Sequence, residues 1–189
     1  MATTALSRDA YFETGLDVLS DLGYGGLKLA EVCSRLGVTS GSFYHYFENW
    51  PAYTRELVSH WKRASTIELA DCCKHERDPR RRIDLLIHNG MNLPHGAESA
   101  MRTWCSLDPQ VRAAQEAVDR ARHEIMRAAA LQILHDEHQA HVFADWAVYV
   151  LVGYEQSTLP KDRHSLEWIA GELLECLDSG RFAAIAAHT

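Results

Sequence analysis

The stretch Gly-Gly-Leu-Lys-Leu-Ala-Glu-Val-Cys-Ser-Arg-Leu-Gly-Val-Thr-Ser-Gly-Ser-Phe-Tyr-His-Tyr-Phe-Glu-Asn, residues 25–49, decides the reading of this chain. Leu29, Val32, Cys33 and Leu36 fall on one side of a short helix, at the spacing of an amphipathic segment. Gly37 suits the left-handed position that ends such a helix. Thr39 then caps a third, very short helix reaching Tyr46. Two short helices joined by a tight turn containing glycine form a helix-turn-helix arrangement.

The residue types in the third helix suit contact with a nucleic-acid backbone. Its N-terminus offers unpaired N–H groups and partial positive charge. Thr39, Ser40 and Ser42 place small hydroxyls at that end, and Gly41 lets a sugar or backbone come close. Tyr44 and His45 follow with polar tips that reach phosphate or base edges. Lys28, near the start of the second helix, is a candidate phosphate contact or a solvated charge. Phe43 and Phe47, at i and i+4, face inward and hold the helix on its core.

Helical periodicity continues on both sides. Ser7 caps a first helix carrying Phe12, Leu16 and Leu19, and Gly23 stops it. Asn49 caps a fourth, with Pro51 in its first turn, running towards Cys72. The segment 74–82 breaks the pattern at Asp78-Pro79 and holds a basic run, read as a solvated turn or as ion pairs to an acidic bundle. A fifth helix carries Ile83, Leu86, Ile87 and Met91, and a short one spans Ala97 to Ser106. A long helix starts at Asp108-Pro109, with Val111, Val118, Ile125, Ala129 and Ile133 in its apolar stripe. A polar loop is expected from His135 to His141, then an apolar helix from Val142 to Ser157, then a last helix capped by Ser165. The fold class is all-α: an N-terminal three-helix head on a larger C-terminal bundle, about nine helices in all. The expected division is 1–50 and 51–189.

Composition narrows the function. The chain has 189 residues, 47% hydrophobic and 24% charged, with a net charge of −7. That is a globular composition, and it excludes a protein that binds polyanions by bulk positive charge. Five cysteines without metal-finger spacing argue against a disulfide framework, and no apolar run is long enough to span a bilayer. A cytoplasmic location without membrane attachment is expected. Two histidine clusters invite a metal reading. His135, His138 and His141 sit at spacing three, but i+6 falls on the far side of a helix. Cys72, Cys73 and His75 form the other. Neither has the order of a known metal motif, so no metal and no cofactor is expected. Nothing pairs a nucleophile with a base at motif spacing, so the chain does not read as an enzyme.

Residues 25–49 resemble the TetR family of bacterial transcriptional regulators. The likeness is strongest at Leu36-Gly37-Val38-Thr39, Gly41-Ser42-Phe43-Tyr44 and His45-Tyr46-Phe47, extends over 8–57, and is looser beyond. Met101-Arg102-Thr103-Trp104 and the run from Asp108 to Arg122 resemble one group of C-terminal domains in that family. The resemblance implies a sequence-specific DNA-binding regulator, a repressor released from a palindromic operator by a small apolar or aromatic effector. It implies DNA contacts from Lys28, Thr39, Ser40, Gly41, Ser42, Tyr44 and His45. It implies an effector pocket near Trp61, His88, Met91, Trp104, Ile125 and Tyr149, with Tyr154 beside them. It also implies a homodimer through the last two helices, where Trp146 to Gly153 is apolar nearly all round. A helical adaptor whose head binds protein is the alternative, and a His-site enzyme a more remote one.

Two departures bear on the head. Leu27 stands where the family usually has a hydroxyl cap, so that cap is lost or moved to Gly26. Trp50 stands where it usually has a lysine. The head is also acidic. Arg8, Lys28 and Arg35 stand against Asp9, Glu13, Asp17, Asp21, Glu31 and Glu48, a net of −3. Weak binding to random DNA and a shallow salt slope are therefore expected.

Overall fold

The computed structural model describes residues 6–185, with the backbone alone described at Glu68 and Cys72. The described residues form nine α-helices and no strand. They are α1 (Arg8–Gly26), α2 (Leu29–Leu36), α3 (Ser40–Phe43), α4 (Trp50–Cys72), α5 (Pro79–Met91), α6 (His95–Cys105), α7 (Pro109–Leu134), α8 (Glu137–Gln156) and α9 (Arg163–Asp178), followed by a 3-10 turn at Arg181–Ala184. None of these helices is long and apolar enough to cross a membrane.

Local side-chain chemistry sets most of the boundaries. Ser7, Thr39, Asp78, Asp136 and Asp162 each accept a hydrogen bond from a first-turn N–H of the helix that follows. Asn49 Oδ1 accepts from Ala52 N at 2.8 Å and does the same for α4. Gly37 closes α2 at φ 67°, and Gly23 breaks α1 at φ 66°, both in the left-handed region open to glycine.

Two expectations left open are decided, and two need correction. The hydroxyl cap of α2 is lost rather than moved to Gly26: Lys28 occupies the N-cap without a side-chain bond, and Leu27 is drawn into the core. The 135–141 loop shrinks to two residues. His135 turns the chain at φ 56° and Asp136 caps α8, so His138 and His141 are helical. The fifth helix starts inside the basic run, at Pro79, and at Arg80 the ion-pair reading of that run holds. Arg80 binds Asp178 through two hydrogen bonds, at 2.6 and 2.9 Å, and also pairs with Asp84. The last helix is capped by Asp162, with Ser165 donating its hydroxyl to that carboxylate at 2.5 Å.

The chain forms two compact units. One holds the described residues through Ser65 together with Pro94–Ala117; the other holds Thr66–Leu93 and the described residues from Val118 onward. Helices α4 and α7 each belong partly to both. A cut at residue 50 therefore separates the head from parts of its own unit, because α6 packs on α1. At Gly96 a Cβ would stand 2.6 Å from the Ser20 carbonyl oxygen, and Tyr24 stacks on Trp104 at 4.7 Å. The second unit has its own core, built on Ile83, Leu86, Met126, Phe143 and Leu173.

Candidate nucleic-acid interface and effector cavity

The head is held together by aromatic rings. Tyr11, Phe43, Phe47 and Tyr53 are buried and meet edge-on, with ring centroids 5.0–5.7 Å apart. Tyr53 donates its hydroxyl to the Tyr11 carbonyl at 2.8 Å. Burial pushes the Tyr53 phenol well above its ordinary range, so it stays a neutral donor. This contact needs Gly15, where a Cβ would lie 2.2 Å from the Tyr53 hydroxyl. Trp50 belongs to the same cluster, 4.9 Å from Tyr53 and 5.9 Å from Phe43. Trp50 therefore contributes packing to the head and no charge.

With Phe43 fully buried, the rest of α3 turns outward. Thr39, Ser40, Gly41, Tyr44 and His45 are exposed, and Ser42 is half-buried. Thr39 Oγ1 accepts from Ser42 N at 3.4 Å and lies 3.3 Å from the Ser42 hydroxyl. Tyr44 is 55% exposed; its ring meets Phe43 edge-on at 5.3 Å while its hydroxyl is free to reach outward. Gly41 has open space around it, the nearest atom to an added Cβ being Thr39 Oγ1 at 3.5 Å.

The head's cations are mostly committed. Arg35 binds Asp21 at 2.7 Å and Glu31 at 2.9 Å. Arg8 pairs with Glu56 and lies over the Phe47 ring at 4.5 Å. Lys28 is exposed and enters no ion pair among the described residues. Cys33 is buried beneath α2, and burial raises its thiol pKa, which makes it an inert core residue.

The second unit contains an apolar cavity of about 80 Å³ among α4, α5, α7, α8 and α9. Its walls include Leu86, Met91, Met126, Ala147, Leu151 and Leu173, with the buried Arg122 as the one charged residue among the described lining. Of the six residues expected at a pocket, Met91 lines it. Trp61 and Trp104 belong to the other unit. Trp61 is buried there and donates Nε1–H to Glu98 Oε1 at 2.9 Å, and Trp104 lies on Tyr24. His88 points to solvent, 3.1 Å from Asn92 Nδ2. Ile125 packs on the second core without reaching the cavity. Tyr149 is 67% exposed and borders a separate surface groove with Tyr154 and Leu159. Periodicity reported that these residues were apolar or helical, not which face meets a void. Arg122 carries a signal in the sequence that periodicity of apolar residues does not read. It interrupts the stripe of Val118, Ile125 and Ala129, at i+4 from the first of them.

Comparison with known proteins accords with this geometry. Residues 12–49, which run from α1 through α3 to the cap of α4, match the family described as bacterial regulatory proteins, tetR family. The head of the chain is thus similar to the DNA-binding region of the tetR family. It is 26% identical over 103 residues to the HTH-type transcriptional regulator BetI of Pectobacterium atrosepticum, a match covering 52% of each chain. The likeness thus spans about half the length of that curated relative. The fold is similar over most of its length to a protein of Saccharomonospora viridis solved in complex with choline, at 13% identity and TM-score 0.71, covering 90% of this chain and 95% of that one. It is also similar to the transcriptional regulator FadR of Bacillus subtilis in complex with stearoyl-CoA, at 14% identity and TM-score 0.65, covering 92% and 99%.

Proposed function

We propose that the protein is a sequence-specific, dimeric DNA-binding regulator of transcription, a repressor whose operator affinity is lowered by a small apolar molecule. The tetR-like head carries this reading. Its rings bury Phe43, and that burial leaves Thr39, Ser40, Gly41, Ser42, Tyr44 and His45 at the surface for the major groove. Lys28 supplies a phosphate contact, and neutral donors supply the rest.

The α8–α9 pair is the dimer face in this reading. Trp146, Tyr149, Trp168 and Ile169 are exposed there, and Gly153 has nothing within 4 Å, so a second helix can cross it closely. A two-fold dimer calls for a palindromic operator. The effector site is the cavity of the second unit. Its lining includes neither an aromatic ring nor a carboxylate among the described residues, so it does not offer a cage for a quaternary ammonium such as choline. Aliphatic walls with one buried guanidinium suit a small apolar molecule with at most one acidic group. The void is smaller than the ~150 Å³ that takes up benzene, so an aromatic occupant has to spread the walls. An occupant lowers operator affinity only if it binds the DNA-free state more tightly; coupling of ~1–3 kcal/mol gives about 5–150-fold.

The experiment is selection from a pool of short random duplexes with the full chain. Enrichment of a palindrome supports the reading. Failure of a folded, ligand-stripped dimer to enrich any sequence overturns it and leaves the protein-binding adaptor.

A further inference from the structure

Three side chains of the second unit converge where α7 meets α8. His123 comes from α7; His141 and Asp145 come from α8, one turn apart and therefore on the same face. His123 Nε2 is 3.2 Å from Asp145 Oδ1, and His141 Nε2 is 3.4 Å from Asp145 Oδ2. One ligand atom from each of the three lies within 4.8 Å of the others. His123 and Asp145 are half-buried, and His141 is exposed.

These separations are hydrogen-bond lengths, yet the His123 contact is not a hydrogen bond. His123 Nε2 is shielded from solvent and has no hydrogen-bond partner among the described residues, although the carboxylate oxygen is 3.2 Å away. The nitrogen and the oxygen are close but not aimed at each other. Two donors that share a metal ion behave in this way, because both lone pairs point at the ion. With bonds of 2.0–2.1 Å and tetrahedral angles, neighbouring donors stand about 3.3–3.4 Å apart. The two imidazole rings sit 4.8 Å apart at 68°, so both can turn a nitrogen to one point. The guanidinium one turn on from His123, Arg127, does not compete for the carboxylate. It is held by Glu124 at 2.7 Å and Glu137 at 2.5 Å.

We propose that His123, His141 and Asp145 bind one divalent transition ion of the zinc class. Imidazole nitrogens with a carboxylate suit zinc, nickel or cobalt, whereas magnesium and calcium require oxygen ligands. Three protein ligands leave a fourth position for water or for a donor atom of another molecule. The bound ion ties α7 to α8. The site lies within the second unit and does not depend on the DNA-binding reading.

The test is titration of the full-length, reduced chain with Zn²⁺ alone, and with Co²⁺ as a visible probe. The comparison variants are His141→Ala, Asp145→Asn and the control His164→Ala, an exposed histidine elsewhere in the same unit. The result expected is one ion per chain, and a rise in thermal midpoint with Zn²⁺ for wild type and His164→Ala. His141→Ala and Asp145→Asn, folded by circular dichroism, lose at least ~10-fold in affinity, since even residues behind metal ligands are worth 10–100-fold. Equal affinity and stoichiometry in wild type and His141→Ala would overturn the proposal. So would a folded wild-type chain that takes up no ion.

Discussion

The crossing of α1 and α6 gives the most direct structural prediction, at Gly96→Ala. The added Cβ would stand 2.4 Å from Ser20 Oγ, 2.6 Å from Ser20 O and 2.9 Å from Ser20 Cα. Carbon atoms rest at about 3.5–4.0 Å, so the helices have to part by about 1 Å. The serine hydroxyl can rotate away, but the backbone atoms cannot. Overpacking of this kind costs about 1–3 kcal/mol, offset by at most ~1 kcal/mol from alanine's better helix propensity. The net expectation is a loss of about 1–2 kcal/mol, or about 2–8 °C in thermal midpoint for a chain of this size. Circular dichroism during thermal and urea unfolding measures it. Gly171→Ala is the control, because nothing lies within 4 Å of its Cβ position in α9. Ser20→Ala in the Gly96→Ala background should recover only part of the loss. If Gly96→Ala is as stable as wild type, or if Gly171→Ala loses as much, the close-approach reasoning is wrong.

Three further outcomes are expected. Gly41→Ala should leave stability unchanged or raise it by up to ~1 kcal/mol, because the position is helical and open, yet weaken operator binding at least several-fold. Unfolding and anisotropy measured together separate the two effects. Trp61→Phe should cost about 1–3 kcal/mol in urea unfolding, because the buried Glu98 carboxylate loses the indole donor at 2.9 Å. Arg80 holds the Asp178 carboxyl below its ordinary range, so this pair stabilises the fold fully above about pH 4 and less as the pH falls further. Both groups are partly exposed, so the contribution is about 0.5–1 kcal/mol, and Arg80→Ala should flatten that part of the stability–pH curve.

Local chemistry made much of the fold readable. The caps at Ser7, Thr39, Asn49 and Asp108, the left-handed Gly37 and the Asp-Pro starts are decided within a few residues, and the structure keeps them. The α8 start is legible too. Asp136 with Gln139 three residues later is a cap pattern, hidden by the polar residues around it. What one strand of sequence could not carry was register between distant helices. Trp61 finds its acceptor 37 residues away. His123 meets Asp145 only because α7 and α8 pack at one particular offset. The cavity is a shortfall of packing among five helices, and no single helix's periodicity encodes it. The head's exposed residues were easier, because burying Phe43 and Phe47 on one face of a short turn puts their neighbours outside.

The central claim is that an acidic, ring-packed head reads DNA sequence through Tyr44 and neutral donors. The most direct measurement is anisotropy titration of the selected palindrome and a scrambled duplex, at two salt concentrations, with wild type and Tyr44→Ala. Tight binding to the palindrome, much weaker binding to the scrambled duplex and a shallow salt slope are expected. Tyr44→Ala is expected to lose on the order of 1–2 kcal/mol. Equal affinity of wild type for both duplexes, or undiminished palindrome binding by a folded Tyr44→Ala, would contradict that claim.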